Sequence, residues 1–370
     1  MTIAGWSSGP PFRYRDDMAF PPPPIDGAPV AEYMAPSVEQ FRDTIYPAAQ
    51  PAILRGVAKE WPIVRLSGNR QDLAAYCRQH GVSSPIDILR APADIGGRFF
   101  YSSDLSGYNF VRDRSTLAAL VDRLAAPMRD GSAESGALFM EATPVATVMP
   151  GLLPEQRLPH APPQVDPMLW IGNETTVQTH FDLSQNIACV LSGRRRFTLF
   201  PPQQTANLYM GPIERTPSGT PVSMVPLEGA DLARFPLFAE ARRHAQIAEL
   251  EAGDALFIPY MWWHHAQAFG PFNILMNYWW NEHADLGSPM EAMLHAILTL
   301  RDLPEPMRDA WRAMFDEFVF LDHGPTARHV PAAMRGGLGT LEDGKRKQLW
   351  HALFTRLSQH ADRLFGRTDN

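Results

Sequence analysis

The chain has 370 residues, a formal net charge of −7 and 45% hydrophobic residues. This is the composition of an ordinary globular protein, long enough for one large domain with appendages or for two domains. The acidic balance argues against nucleic acid as the main partner, because phosphate binding needs a concentrated basic face.

The cysteine count and the N-terminal residues bear on the compartment. Cys77 and Cys189 are the only two cysteines, and both fall in apolar runs, so we expect buried thiols and no disulfide framework. The first 17 residues have no apolar core of signal-peptide length. No run reaches the roughly 18 to 20 apolar residues of a membrane span. We therefore expect a cytoplasmic protein.

The first 145 residues predict a mixed α and β region behind an extended, proline-rich arm, residues 1–30. Ser37-Val38-Glu39-Gln40 is a capping-box pattern that opens a short helix to about Ile45. Further helices are predicted at 73–80 and 117–124, and strands at 51–55, 86–89 and 138–140.

From Met168 to Trp280 the pattern changes to short strands separated by Gly, Pro and Asn, which is typical of an all-β barrel or sandwich. The predicted strands are 168–172, 176–182, 186–192, 196–200, 222–226, 248–250, 255–258, 264–269 and 273–279. Ser192-Gly193-Arg194 predicts a hairpin turn between two of them. Residues 204–247 form a long insertion, a candidate lid or substrate loop.

After Trp280 the apolar spacing is helical over 289–303, 306–318 and 341–364. We accordingly predict three parts: the arm 1–30, a β domain with N-terminal α/β elements over 31–285, and a helical region over 286–370. An apolar helix pair beyond a complete barrel favours an isologous dimer.

The tripeptide His-x-Asp occurs three times, and only its context separates the copies. Two residues i and i+2 on a strand point to the same side and can share a metal ion, and His180 and Asp182 lie in such a run. His360 and Asp362 fall in a helical pattern, about 200° apart, and should be surface residues. His283-Ala284-Asp285 follows the last strand in a polar loop.

Two imidazoles and one carboxylate on one face of an octahedron are the ligand set of iron(II) oxygenases, which leave the opposite face open. The third ligand should be a histidine from another strand. His264 and His265 are both candidates, and a bland interpretation makes them polar residues of an aromatic-rich core. The convergence of the three residue types favours a metal site.

These residues, taken together, resemble the JmjC/cupin-like 2-oxoglutarate oxygenases, and within that family the asparaginyl hydroxylases. The resemblance runs from about Leu138 to Trp280. It is carried by His180, Asp182, Asn186, Gly193-Arg194-Arg195-Arg196, Phe200-Pro201-Pro202, Gly253-Asp254, Ile258-Pro259, Trp262-Trp263-His264-His265 and Asn277-Tyr278-Trp279. It implies a double-stranded β-helix, or jelly roll.

The resemblance implies a role for each matched residue. His264 becomes the third ligand, and His265 points away. Arg195 takes the place of the family lysine that pairs with the distal carboxylate of 2-oxoglutarate, and a bidentate fork suits that task. The remaining cosubstrate pocket would include Asn186, Asn277, Thr179 and Trp279. Strand parity places Arg194 and Arg196 on the other face, where we expect them to be solvated.

Two positions depart from the family pattern. Val177 stands where the family has a threonine, and Phe139 where it has a tyrosine that contacts the cosubstrate. Each change removes a hydroxyl donor, and a lost bond to a charged group costs about 1.5–3 kcal/mol. These departures bear on 2-oxoglutarate more than on the metal.

The predicted function is Fe(II)- and 2-oxoglutarate-dependent hydroxylation of a C–H bond, with a peptide or protein side chain as the substrate that the resemblance favours. A small molecule and tRNA are the alternative substrates, and the acidic net charge of the chain argues against tRNA. The first alternative is a cupin-type metalloenzyme using zinc or manganese without 2-oxoglutarate. The second is a non-catalytic binding module that kept the barrel.

Overall fold

The computed structural model describes residues 20–126, 136–217 and 219–366 of the chain. Residues 1–19 of the predicted arm lie outside this range. The chain divides into two compact units, residues 1–282 and 283–370. No helix in the described ranges has the length and apolar character needed to cross a membrane.

The first unit is built on a mostly antiparallel sheet with helices around it, so the predicted fold class is confirmed. In the described residues its strands are β1 (Ala28–Pro29), β2 (Ala31–Met34), β3 (Ala52–Arg55), β4 (Pro85–Ala91), β5 (Arg98–Phe99), β6 (Val111–Thr116), β7 (Ala137–Pro144), β8 (Met168–Gly172), β9 (Thr176–His180), β10 (Gln185–Phe200), β11 (Gln246–Leu250), β12 (Ala255–Ile258) and β13 (Trp263–Trp280).

Two long strands, β10 and β13, pair along their whole lengths and run through two layers. The front layer has the order β2-β3-β12-β10-β13-β8-β7-β4-β6. The back layer pairs β1, β11, the second half of β10, the first half of β13, β9 and β5. One continuous pair of strands therefore joins both layers, as in a jelly roll.

The predicted hairpin at Ser192-Gly193-Arg194 is wrong, because residues 185–200 form one strand with an irregularity in its pairing. Gly193 has φ +74°, and a Cβ there would lie 2.1 Å from Oδ1 of Asn273. Only glycine fits this close approach. The predicted strands 264–269 and 273–279 are likewise one strand, and 222–226 contributes only isolated bridges.

The first unit contains the three helices predicted near 37–45, 73–80 and 117–124, together with three short helices that were not predicted. They are α1 (Val38–Gln40), α2 (Pro62–Arg65), α3 (Arg70–His80), α4 (Leu117–Ala125), α5 (Val145–Val148) and α6 (Phe238–Arg243). A π-helix, Phe41–Ile45, continues α1, and Ser37 caps α1 by accepting from the backbone N–H of Gln40. Short 3₁₀ turns lie at Tyr46–Ala48, Ala93–Ile95, Pro150–Leu152 and Pro202–Leu208.

Two apolar clusters hold this unit together. Side chains on one face of the front layer, among them Ile187 and Met276, pack against α3 and α4. Side chains on its other face, such as Val190 and Leu275, meet Phe197 and Leu199 of the back layer. The second cluster is the interior of the jelly roll. Successive side chains of β10 and β13 point to opposite faces, so these two strands contribute to both clusters. Cys77 and Cys189 are buried free thiols, as predicted.

The second unit contains α7 (Pro289–Leu300), α8 (Glu305–Phe318) and α9 (Asp343–Phe365), with 3₁₀ turns at Ala284–Leu286, Ala332–Met334 and Gly336–Leu338. None of the three α-helices has a buried residue. Large apolar side chains are exposed on them, including Leu298 and Phe354. His360 and Asp362 are exposed on α9, so their predicted position on the surface of a helix is confirmed.

Candidate metal centre

Three predicted ligands, His180, Asp182 and His264, come together at one end of the jelly-roll interior. Each offers a ligand atom, and these atoms all lie within 4.8 Å of one another. His180 ends β9 and faces His264 at the start of β13 as a cross-strand pair. Asp182 follows two residues later, with Oδ2 3.7 Å from Nε2 of His264.

Both histidine rings are oriented by backbone carbonyls. Nδ1 of His180 donates to the carbonyl of Gln178 at 2.8 Å, and Nδ1 of His264 donates to that of Trp262 at 3.0 Å. A carbonyl only accepts, so each neutral ring carries its proton on Nδ1 and keeps the Nε2 lone pair for a metal ion. Burial, reinforced by the neighbouring His264, lowers the pKa of His180. A neutral imidazole is the form that binds metal.

A chain of hydrogen bonds holds the carboxylate of Asp182. Its Oδ2 accepts from Nε1 of Trp279 at 3.0 Å and from Nδ2 of Asn186 at 3.2 Å. Asn186 in turn accepts from Asn277 at 3.4 Å, and Asn277 accepts from Nε1 of Trp170 at 2.7 Å. Asn186 and Trp279 thus contact the metal group directly, and Asn277 is connected to it through Asn186. Trp170 was missed from the sequence, although strand 168–172 pairs beside Asn277.

Arg195 lies on the same face of the back layer as His264. On paired strands, directly opposed residues share a face, and so does every second residue. His264 opposes Leu199, and Ala268 opposes Arg195, with regular pairing between them. Arg195 is 2% exposed, and neither its Nε nor its Nη2 has a hydrogen-bond partner among the described residues. Burial lowers its pKa to about 10.

A buried guanidinium without partners is costly, so its presence needs an explanation such as a bound anion.

The two neighbouring arginines, Arg194 and Arg196, are less exposed than predicted. Arg196 is 1% exposed and pairs with Glu249 at 2.6 Å, so its predicted solvation is wrong. Arg194 is half-buried, with its guanidinium carbon 4.5 Å from the ring centroid of Phe20.

The remaining predicted residues divide between two places. Thr179 is buried, and its hydroxyl lies 3.4 Å from Nδ1 of His265. Neither residue belongs to the metal group. Phe139 and Val177, the two departures, border one small cavity together with Glu141 and Gln178. Phe139 also stacks on Trp170, with ring centroids 5.7 Å apart.

The donor set fits a metal ion of the iron(II) class. It offers two imidazole nitrogens and one carboxylate, with the proton positions of both rings already fixed. This is the facial set that leaves positions open for other ligands. On the same face of the back layer, Nε and Nη2 of Arg195 have no hydrogen-bond partner among the described residues.

Comparison with known proteins places these residues in a known context. The family model described as "Cupin-like domain" matches residues 38–286. The chain is 27% identical over 322 residues to "tRNA wybutosine-synthesizing protein 5" of Homo sapiens, which covers 76% of this chain and 92% of that protein.

Two further relatives match over shorter stretches. "Jumonji C domain-containing protein 5" of Drosophila melanogaster is 24% identical over 265 residues, covering 66% of this chain and 58% of that protein. "Lysine-specific demethylase JMJ31" of Arabidopsis thaliana is 34% identical over 115 residues, covering 31% of this chain and 20% of that protein. The predicted resemblance to JmjC/cupin-like proteins is confirmed.

Proposed function

The chain belongs to the cupin-like domain family, and from that premise we propose that it is an Fe(II)- and 2-oxoglutarate-dependent oxygenase that hydroxylates a C–H bond. The observation that carries this proposal is the group His180, Asp182 and His264 with a buried Arg195 on the same face, whose Nε and Nη2 have no partner among the described residues. The metal ligands alone would suit several cupin chemistries. The additional positive charge of Arg195 favours a site that also binds an anionic cosubstrate.

His180, Asp182 and His264 would hold the iron, and iron with 2-oxoglutarate supplies the oxidising chemistry. The chain's own contribution is orientation. The carbonyls of Gln178 and Trp262 aim the two rings, and Trp279 and Asn186 hold the carboxylate. Such outer partners fix ligand geometry and tune the metal.

Arg195 would pair with the distal carboxylate of 2-oxoglutarate. Its guanidinium can form two parallel bonds to a carboxylate, which adds both energy and direction. Asn186 and Asn277 lie on the path from Asp182 into the jelly-roll interior and would border the cosubstrate. The hydroxyl of Thr179 lies 3.4 Å from Nδ1 of His265, and its contact with the cosubstrate stays a prediction.

We propose a peptide or protein side chain as the substrate. The relatives are named as a lysine-specific demethylase and a tRNA wybutosine-synthesizing protein, so both substrate classes occur among similar chains. The match to the tRNA-related protein is the longer one, and tRNA is therefore the alternative that the assay must include. The net charge of −7 favours the peptide.

The test is succinate formation by the purified chain with Fe(II), 2-oxoglutarate and O₂, in separate reactions with a peptide library and with total tRNA. We expect succinate to form faster with the peptides, and Asp182→Ala to abolish the difference. If only tRNA stimulates succinate formation, the proposed oxygenase activity stands but the substrate is tRNA and not a peptide. If no substrate gives succinate, and metal analysis finds zinc as the native ion, the zinc or manganese cupin alternative replaces the proposal.

We also propose that residues 31–285 act as the catalytic domain and that residues 286–370 form a homodimer contact. The support is the surface of α7, α8 and α9, where no residue is buried and large apolar side chains are exposed. On α7 and α8 these include Met293, Ile297, Leu300, Trp311 and Phe315, which line one groove. Exposed apolar patches of this kind mark interaction sites.

A further inference from the structure

We propose that Gln178 is a positioning residue for the metal centre, through which the insertion 204–247 sets the orientation of His180. The inference rests on the metal site of the proposed function. It adds a residue that contacts neither the metal group nor the cosubstrate with its side chain. The steps are a bulge in β9, a carbonyl inside that bulge and a buried amide that holds it.

The pairing of β9 with β13 contains one extra residue next to the metal group. His180 opposes His264, but the next pair is Val177 with Ala266, so three steps on β9 match two on β13. Gln178 and Thr179 therefore oppose His265 together. Bulges re-aim side chains and are common beside functional sites. The direction of His180 depends on this bulge being held.

The carbonyl of Gln178 lies inside the bulge and accepts the Nδ1–H of His180 at 2.8 Å. It is thus the group that sets both the tautomer and the ring plane of this ligand. Any rotation of the peptide plane between Gln178 and Thr179 moves this acceptor. The ring of His180 would then turn, and its Nε2 would leave the position that it shares with Asp182 and His264.

The side chain of Gln178 prevents that rotation, because all of its polar atoms are engaged. It is 1% exposed, and its Nε2 donates to the carbonyls of Ser223 at 2.9 Å and Val225 at 2.7 Å. Its Oε1 accepts from Nη2 of Arg98 at 2.8 Å. A buried amide with every bond made is rigid, and partial loss of its partners is costly.

The same segment of the insertion also holds the next residue of the bulge. The backbone N–H of Ser223 donates to the carbonyl of Thr179 at 2.7 Å, and Val222 bridges to His180. Residues 222–225 therefore clamp the bulge from outside, by backbone and by the amide of Gln178. The insertion that the sequence marks as a lid or substrate loop is joined in this way to a metal ligand.

The test compares two buried glutamines that both reach the insertion. Gln267 on β13 is 9% exposed and donates its Nε2 to Glu228 at 2.8 Å, but its carbonyl accepts no bond from a ligand histidine among the described residues. Co(II) is titrated anaerobically into the full chain while its visible absorption spectrum is recorded. We expect Gln178→Met to raise the Kd for Co(II) by about 10- to 100-fold and to change the spectrum. Gln267→Met should leave both within twofold of wild type.

A milder variant covers the case in which Gln178→Met does not fold. Ser223 Oγ donates to the carbonyl of Leu208 and accepts from the N–H of Val225, so it shapes the turn that meets Gln178. Ser223→Ala should raise the Kd for Co(II) by about fivefold. Wild-type affinity and spectrum in Gln178→Met, or an equal loss in Gln267→Met, would overturn the positioning role alone. A wild-type chain that binds no Co(II) would overturn the proposed function with it.

Discussion

The substitution Arg195→Met tests whether Arg195 binds the cosubstrate or only stabilises the fold. The side chain is 2% exposed, its Nε and Nη2 have no partner among the described residues, and it shares a face with His264. Methionine keeps most of the length of the side chain and removes the charge. The substitution should therefore stabilise the ligand-free chain while it weakens 2-oxoglutarate binding.

The magnitude of the stability change comes from the burial of the charge, and that of the affinity change from the lost bond to the cosubstrate. Burial lowers the pKa of Arg195 to about 10. At about 1.4 kcal/mol per pKa unit, this shift is roughly 3 kcal/mol against the buried charged form. The free energy of unfolding of the metal-free variant should rise by up to about that amount. Losing a charge-assisted bond of about 1.5–3 kcal/mol should raise the Kd for 2-oxoglutarate by about 10- to 150-fold.

The assay combines urea unfolding of the metal-free chain with calorimetric titration of 2-oxoglutarate into the manganese-loaded chain. Arg194→Met is the matched control, because Arg194 is half-buried against Phe20 and lies on the opposite face. It should leave the Kd for 2-oxoglutarate unchanged. The reasoning fails if Arg195→Met unfolds at a lower urea concentration than wild type, or if Arg194→Met loses as much affinity for 2-oxoglutarate.

Two further predictions concern the metal and the assembly. His264→Ala should abolish Co(II) binding in an anaerobic titration, because Nε2 of His264 faces the carboxylate of Asp182, whereas His265→Ala should retain it; retention in both variants would contradict the ligand assignment. Light scattering should give twice the chain mass of 41.3 kDa for wild type. Leu298→Glu on α7, where the side chain is 75% exposed, should halve that mass, and Val111→Glu, 56% exposed in the first unit, should not. A monomeric wild type would refute the dimer.

The centre of the site could be predicted from the sequence because its pattern is local. His180 and Asp182 stand two residues apart in a strand-like run, and this context separates them from the helical copy at His360. The observed strand β9 ends at His180, so Asp182 follows the strand and the predicted end at 182 is wrong. Parity also predicted that Arg195, between two other arginines, differs from its neighbours, and the pairing of β10 with β13 places it on the face of His264. Side-chain period is a property of a few consecutive residues, so the chain alone reveals it.

Continuity of the strands was decided by tertiary pairing. Ser192-Gly193-Arg194 has the composition of a turn, yet β10 runs through it because β13 follows on the same side throughout. The burial of Arg196 is of the same kind. Its partners are Glu249, 53 residues away, and the carbonyl of Pro22, 174 residues away. Nothing within one strand indicates contacts at that separation.

The supporting residues of the metal group also depended on the fold. The family resemblance alone placed Thr179 in the cosubstrate pocket, and nothing in the sequence assigned a role to Gln178. In the structure both residues oppose His265 across a bulge against β13: the hydroxyl of Thr179 lies next to Nδ1 of His265, and the carbonyl of Gln178 accepts from the ring of His180. A bulge is a mismatch between two strands, so one strand's sequence cannot specify it. The chain by itself determined the strand class and the ligand types, while the pairing of distant strands decided how the ligands are held.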